Sequence, residues 1–74
     1  MLTYEESKVL SYLRKRVLSR TQDLARACLP GATPEWVGRV LADLEWLGYI
    51  VVFSDPKGRP HAVQPTEEGL RCPV

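Results

Sequence analysis

Residues 44–69, LEWLGYIVVFSDPKGRPHAVQPTEEG, change character three times. Apolar residues at helical spacing run up to Leu47, and Gly48 suits the position just past a helix end, where a left-handed backbone reverses the chain. Tyr49 to Phe53 is then a β-branched and aromatic run that favours a strand. SDPKGRP is turn chemistry, and His61-Ala62-Val63-Gln64 returns as an antiparallel partner, with Ala62 and Gln64 on one face and His61 and Val63 on the other. The stretch therefore reads as a β-hairpin, about 49–64, attached directly to a helix. Pro65 ends it, and Thr66 caps a short terminal turn, TEEGLR, whose Leu70 is expected to fold back on the core.

Working back from Leu47, the preceding helix is bounded as clearly at its start. Thr33 is an N-cap and Pro34 sits at the first helical position, where a missing N–H costs nothing. Over about 34–47, Val37, Val40, Leu41, Leu44 and Leu47 fall within about 120° of arc, the width of a core-facing stripe. The opposite face carries Glu35, Gly38, Arg39, Ala42, Asp43 and Trp46, with Trp36 at the stripe's edge beside Leu47.

A second helix, about 21–29, turns Leu24, Ala25, Cys28 and Leu29 inward and stops at Pro30-Gly31. So short a turn before the next helix suggests a helix-turn-helix. The first helix, about 3–16, opens with Thr3 and Glu6 as a capping box, and Val9, Leu10, Leu13 and Val17 form its stripe. Arg14, Lys15 and Arg16 crowd its C-terminal end. Compensation of the helix dipole accounts for one or two of these cations, and a phosphate contact is the other reading.

Seventy-four residues make one small domain, expected to span 1–74, whose folding buries only about 60% of the surface of the unfolded chain. Two cysteines do not make a disulfide framework, no charged and apolar leader precedes the first element, and no apolar run approaches the length of a membrane span. A cytoplasmic protein without membrane contact is expected. The net charge of +1 conceals two basic islands: Arg14, Lys15, Arg16, Arg20 and Arg26 against Asp23, and Lys57 with Arg59 against Asp55.

The order of three helices and a hairpin resembles the winged helix-turn-helix family over nearly the whole chain. TPEWVGRVLADLEWLGYI is similar to that family's third helix, VVFSDPKGRPHAV to its wing, and PTEEGLR to the Thr-x-x-Gly-Arg ending of many small repressors. The fold class implied is α+β, mainly α: a three-helix winged helix-turn-helix with a C-terminal β-hairpin wing and a short terminal turn. The function implied is double-stranded DNA binding by a transcriptional regulator. Its third helix would read the major groove through Arg39 and its neighbours Thr33, Glu35 and Trp36. Lys57, Arg59 and His61 of the wing would hold phosphate or minor groove, as would Arg20 at the entry to the second helix and Arg14, Lys15 and Arg16.

Charge departs from that pattern, because residues 27–50 carry one Arg against three acids. With few phosphate partners a lone copy would bind DNA weakly, so the DNA reading calls for a homodimer or a larger assembly. The same acidity motivates a rival of a different class, a winged-helix module that binds another protein through Trp46, Trp36 and the acids of the third helix. Tyr4 and Tyr12 lie off the first helix's stripe and are candidate interface residues. Trp46 has a second reading as satellite core under the wing or the terminal segment. No enzyme is expected: there is no phosphate-cradling glycine loop and no nucleophilic triad. No cofactor or metal is expected either, because Cys28, His61 and Cys72 lack any close Cys-x-x-Cys pair.

Overall fold

The computed structural model describes residues 2–16 and 18–73, so the expected core position Val17 lies outside the described residues. The chain runs α1 (Tyr4–Arg14), β1 (Ser19–Arg20), α2 (Thr21–Cys28), α3 (Pro34–Trp46), β2 (Ile50–Ser54), β3 (Pro60–Pro65) and α4 (Glu67–Arg71). The helices pack on a three-stranded antiparallel sheet of order β1-β3-β2, which makes the fold α+β and mainly α.

Local chemistry sets the helix boundaries. Thr3 Oγ1 accepts from the Glu6 amide at 3.2 Å and a Glu6 carboxylate oxygen accepts from the Thr3 amide at 2.9 Å, which completes the capping box and satisfies the otherwise buried Glu6. Thr33 caps α3 by accepting from the Trp36 amide at 3.2 Å. At the other end of α3, the Tyr49 amide donates to the Leu44 carbonyl and the Gly48 amide to the Glu45 carbonyl, each at 3.0 Å. This is a Schellman closure, and the φ of +85° at Gly48 makes it possible without a Cβ penalty. Because α3 stops at Trp46, Leu47 leaves the stripe and is 43% exposed; the expectation that it joins the core was wrong.

Val9, Leu10 and Leu13 of α1 meet Leu24 and Cys28 of α2 and Val37, Val40, Leu41 and Leu44 of α3 in one core. Leu29, Ile50 and Val63 complete it. Burial raises the Cys28 thiol pKa, against an opposing effect of Lys8 and Arg16.

Strand β1 was not anticipated. It places β3 at the centre of the sheet, with Ser19 opposite Val63 and Arg20 opposite Ala62. Val63 thus shares the core face with Ser19 and Val52, while Ala62 lies on the other face between Arg20 and Phe53. Flanked by two longer side chains, Ala62 is also buried, so the simple alternation expected for this strand fails in burial.

The terminal turn is a short helix. Thr66 caps α4 by accepting from the Gly69 amide at 3.1 Å. Gly69 is buried and Leu70 is 48% exposed, so it is Gly69, not Leu70, that α4 turns inward. Strand β2 occupies an edge, and the Val52 amide, turned away from β3, donates to a Glu45 carboxylate oxygen at 3.2 Å. Glu45 is therefore engaged rather than merely solvated.

Candidate nucleic-acid interface

The N-terminal half of α3, the start of α2 and the base of the hairpin enclose an open cleft of about 420 Å³, lined in part by Thr21, Gln22, Gly38, Arg59 and Pro60. Arg59 is the cation that lines the cleft, and Arg20 immediately precedes its lining residue Thr21 in the chain. Arg20 is the N-cap of α2 and makes no side-chain cap, so among the described residues the first amides of that helix have no side-chain acceptor and favour an anion. The Thr21 hydroxyl, buried at the same helix end, has no hydrogen-bond partner among the described residues.

The tip of the hairpin is held from within. One carboxylate oxygen of Asp55 accepts from the Lys57 and Arg59 amides, both at 2.9 Å. The Gly58 amide donates to the Asp55 carbonyl and the Asp55 amide to the Arg59 carbonyl, also at 2.9 Å. Gly58 takes a φ of +82°, a conformation that would be strained for any residue with a Cβ. With the backbone so fixed, Lys57 and Arg59 are exposed at the tip and its base. The register shifts between Phe53, opposite Ala62, and Ser54, opposite Pro60, which leaves His61 as the extra, exposed residue of a bulge.

On α3, Glu35 and Arg39 are exposed on the side away from the core, and Thr33 is committed to its cap. Although Glu35 precedes Arg39 by one turn, the ion pair found among the described residues is Arg71 with Glu67, at 3.7 Å. Trp36 turns to the other side. It lines a groove of about 320 Å³ with Tyr4, Lys8 and the Pro30–Ala32 turn, and is 46% exposed. Trp46 is 87% exposed, so neither the hairpin nor the terminal helix covers it.

The remaining candidates lie elsewhere. Arg14, Lys15 and Arg16 border a separate cavity with Gln64, Pro65 and Leu70, at the end of β3 opposite the hairpin tip. Six residues of strand, about 17–20 Å, separate the two ends. The Arg14 guanidinium donates to the Cys72 carbonyl. Arg16 stacks 3.7 Å from the Tyr12 ring centroid and donates to the Tyr12 carbonyl at 2.9 Å, covering one face of that ring. Tyr4 is exposed, with the Lys8 ammonium 5.2 Å from its ring centroid. Cys28 sits in the core, His61 on the hairpin and Cys72 after α4. Thr21 and Gln22 escaped the sequence reading, since nothing local marks them and only the docking of α2 beside α3 brings them to the cleft.

A helix-turn-helix whose second helix runs straight into a β-hairpin is a winged-helix fold, and the cleft lies where the wing meets α3. Solved structures of transcriptional regulators share it. The transcriptional regulator PA4135 is 30% identical over 96% of this chain and 52% of its own, with a TM-score of 0.76. MepR, a transcription regulator of the Staphylococcus aureus multidrug efflux pump MepA, is 25% identical over 95% of this chain and 51% of its own, with a TM-score of 0.75. A point mutant of MepR, from a multidrug resistant S. aureus clinical isolate, gives a TM-score of 0.77 at the same identity and coverage. These similar proteins are regulators, not enzymes, and this chain spans about half the length of each. No family model and no curated protein matches the sequence. Among the described residues no helix is long and apolar enough to cross a membrane.

Proposed function

We propose that residues 1–74 form the double-stranded DNA-binding domain of a transcriptional regulator, acting in the cytoplasm as a homodimer. The observation that carries this reading is the cleft that joins Arg59 of the wing to Gly38 on α3 and to Thr21 and Gln22 at the start of α2. A duplex laid along it meets the exposed face of α3 in its major groove, with Arg39 reaching guanine and Glu35 accepting from cytosine. Lys57, Arg59 and His61 take the flanking backbone, and Arg20 with the α2 amides takes a phosphate. Arg14 and Arg16 are already engaged within the chain at the far end of β3, and they stand outside this contact set.

The test is fluorescence anisotropy of a labelled random-sequence duplex at about 50 and about 200 mM salt. Phosphate-led binding falls by orders of magnitude across that range. Absence of binding at both concentrations overturns the reading.

The exposure of Trp46 favours a second reading, a protein-interaction module using Trp46 and the acids of α3. Under it, Trp46→Ala abolishes capture of the partner and leaves duplex affinity unchanged.

A further inference from the structure

The proposed interface uses two separately built parts, a helix and a hairpin, and its fit depends on the angle between them. That angle is set at the Gly48–Tyr49 peptide, where the chain leaves α3 for β2. Two hydrogen bonds from the C-terminal TEEG segment reach this joint, and a third, within the segment, fixes the side chain that makes one of them. The Thr66 amide donates to the Tyr49 carbonyl at 3.0 Å, the Thr66 hydroxyl donates to the Gly48 carbonyl at 2.6 Å, and the same hydroxyl oxygen accepts from the Gly69 amide at 3.1 Å. One side chain thus ties the first turn of α4 to the corner.

Gly69 completes the contact by what it lacks. A Cβ built there would stand 2.0 Å from the Tyr49 oxygen and 3.0 Å from its carbonyl carbon, both backbone atoms that cannot move aside as a flexible side chain does. Gly69 carries no left-handed backbone angle, so its requirement is close approach alone. On the far side of the joint, the Glu45 carboxylate receives the Val52 amide. The corner is therefore held from α3, from β2 and from α4 together.

We infer that Thr66 and Gly69 are positioning residues for the wing: they clasp the α3–β2 corner and fix the angle at which Lys57 and Arg59 are presented relative to α3. This rests on the DNA-binding reading for its consequence, but not for its geometry. A clasp that only anchored the C-terminal helix would contribute to stability without altering the relation of wing to helix.

The experiment separates these. Spin labels at Ala42→Cys on α3 and Lys57→Cys at the wing tip, in a Cys72→Ser background, report the angle as an inter-label distance distribution without DNA. Thr66→Val keeps the backbone bond and removes both hydroxyl bonds, Thr66→Ser restores them, and Gly69→Ala pushes α4 off the corner. The expected result is a broadened or shifted distribution for Thr66→Val and Gly69→Ala, and the parent distribution for Thr66→Ser, at a temperature where circular dichroism reports folded protein. A parent-like distribution in folded Thr66→Val overturns the inference, and that comparison stands even when Gly69→Ala does not fold.

Duplex binding then tests the consequence. Each lost phosphate contact lowers the salt slope by about 0.9, so release of two wing cations makes the affinity loss between about 50 and about 200 mM salt roughly twelvefold smaller. Adding Lys57→Ala or Arg59→Ala to Thr66→Val is then expected to change nothing further. A full wild-type slope in a variant whose distribution has broadened overturns the functional consequence. Failure of the wild-type protein to bind any duplex overturns the DNA reading and leaves the distance result to judge the clasp.

Discussion

Replacing Asp55 by alanine removes the acceptor on which the wing tip is folded. One carboxylate oxygen receives two backbone amides, those of Lys57 and Arg59, and nothing else in the turn substitutes for it. A net hydrogen bond contributes about 0.5–1.5 kcal/mol, and this site is partly open to water, so the pair is worth roughly 1–2 kcal/mol. In a domain of this size each kcal/mol shifts the melting temperature by about 4–8 °C, which puts the fall for Asp55→Ala at roughly 4–16 °C. Asp55→Asn keeps an oxygen in the same place and loses only the charge, so it is expected to lose less than half as much. Thermal unfolding followed by circular dichroism, with amide exchange at Lys57 and Arg59 as the local probe, measures both variants. A melting temperature for Asp55→Ala within about 1 °C of the parent, or an asparagine variant as costly as alanine, would show that the Asp55 carboxylate does not hold the tip.

Four further outcomes are expected. Leu44, fully buried where α3 meets the core, costs about 2–5 kcal/mol as alanine, a large share of the roughly 4–11 kcal/mol available to 74 residues, and urea titration reads the loss. In duplex selection, Arg39→Ala relaxes preference at one base pair by ~1–3 kcal/mol, whereas Lys57→Ala weakens all sequences alike; a sequence-blind loss from both contradicts the assigned roles. Cys72 is expected to react with a thiol reagent in the folded protein while Cys28, buried and with its thiol pKa raised, reacts only on unfolding, as mass spectrometry of the labelled peptides will show. Iodide should quench most of the Trp46 emission, so that Trp46→Phe leaves a bluer and less quenchable spectrum from Trp36; an unquenchable parent would contradict the exposure of Trp46.

What could be read from the chain in advance was local. Thr3 with Glu6, Thr33 with Pro34, and Gly48 each mark a helix end through an interaction spanning a few residues, and the structure has them where the sequence suggested. The hairpin was legible for the same reason, since its strands and turn adjoin. Features made by distant segments were not. Strand β1 is two residues long, too short to carry alternation, and exists only because β3 lies beside it. Leu47 continues the apolar pattern of α3 past the point where the backbone turns away, and α4 turns Gly69 rather than Leu70 toward the core. Of the candidate site, Arg39, Lys57 and Arg59 were identifiable by position on a helix face and a turn, whereas the cleft partners Thr21 and Gln22 emerge only when three elements meet. The contacts of Arg14 with the Cys72 carbonyl and of Arg16 with Tyr12 were equally hidden, since each joins groups that only the fold or the turn of a helix brings together.

Glu45 has a consequence for the behaviour of the protein at high concentration. It lies in the last turn of α3, where the helix dipole disfavours a negative charge, yet its carboxylate occupies the outward amide of an edge strand whose Val51 and Phe53 are exposed. An unguarded edge of this composition is a template onto which a second copy can zip. The acid acts as a stopper, exchanging a little helix stability for colloidal stability. Glu45→Ala should therefore melt close to the parent temperature while precipitating sooner on concentration, a separation of folding from solubility traceable to one side chain.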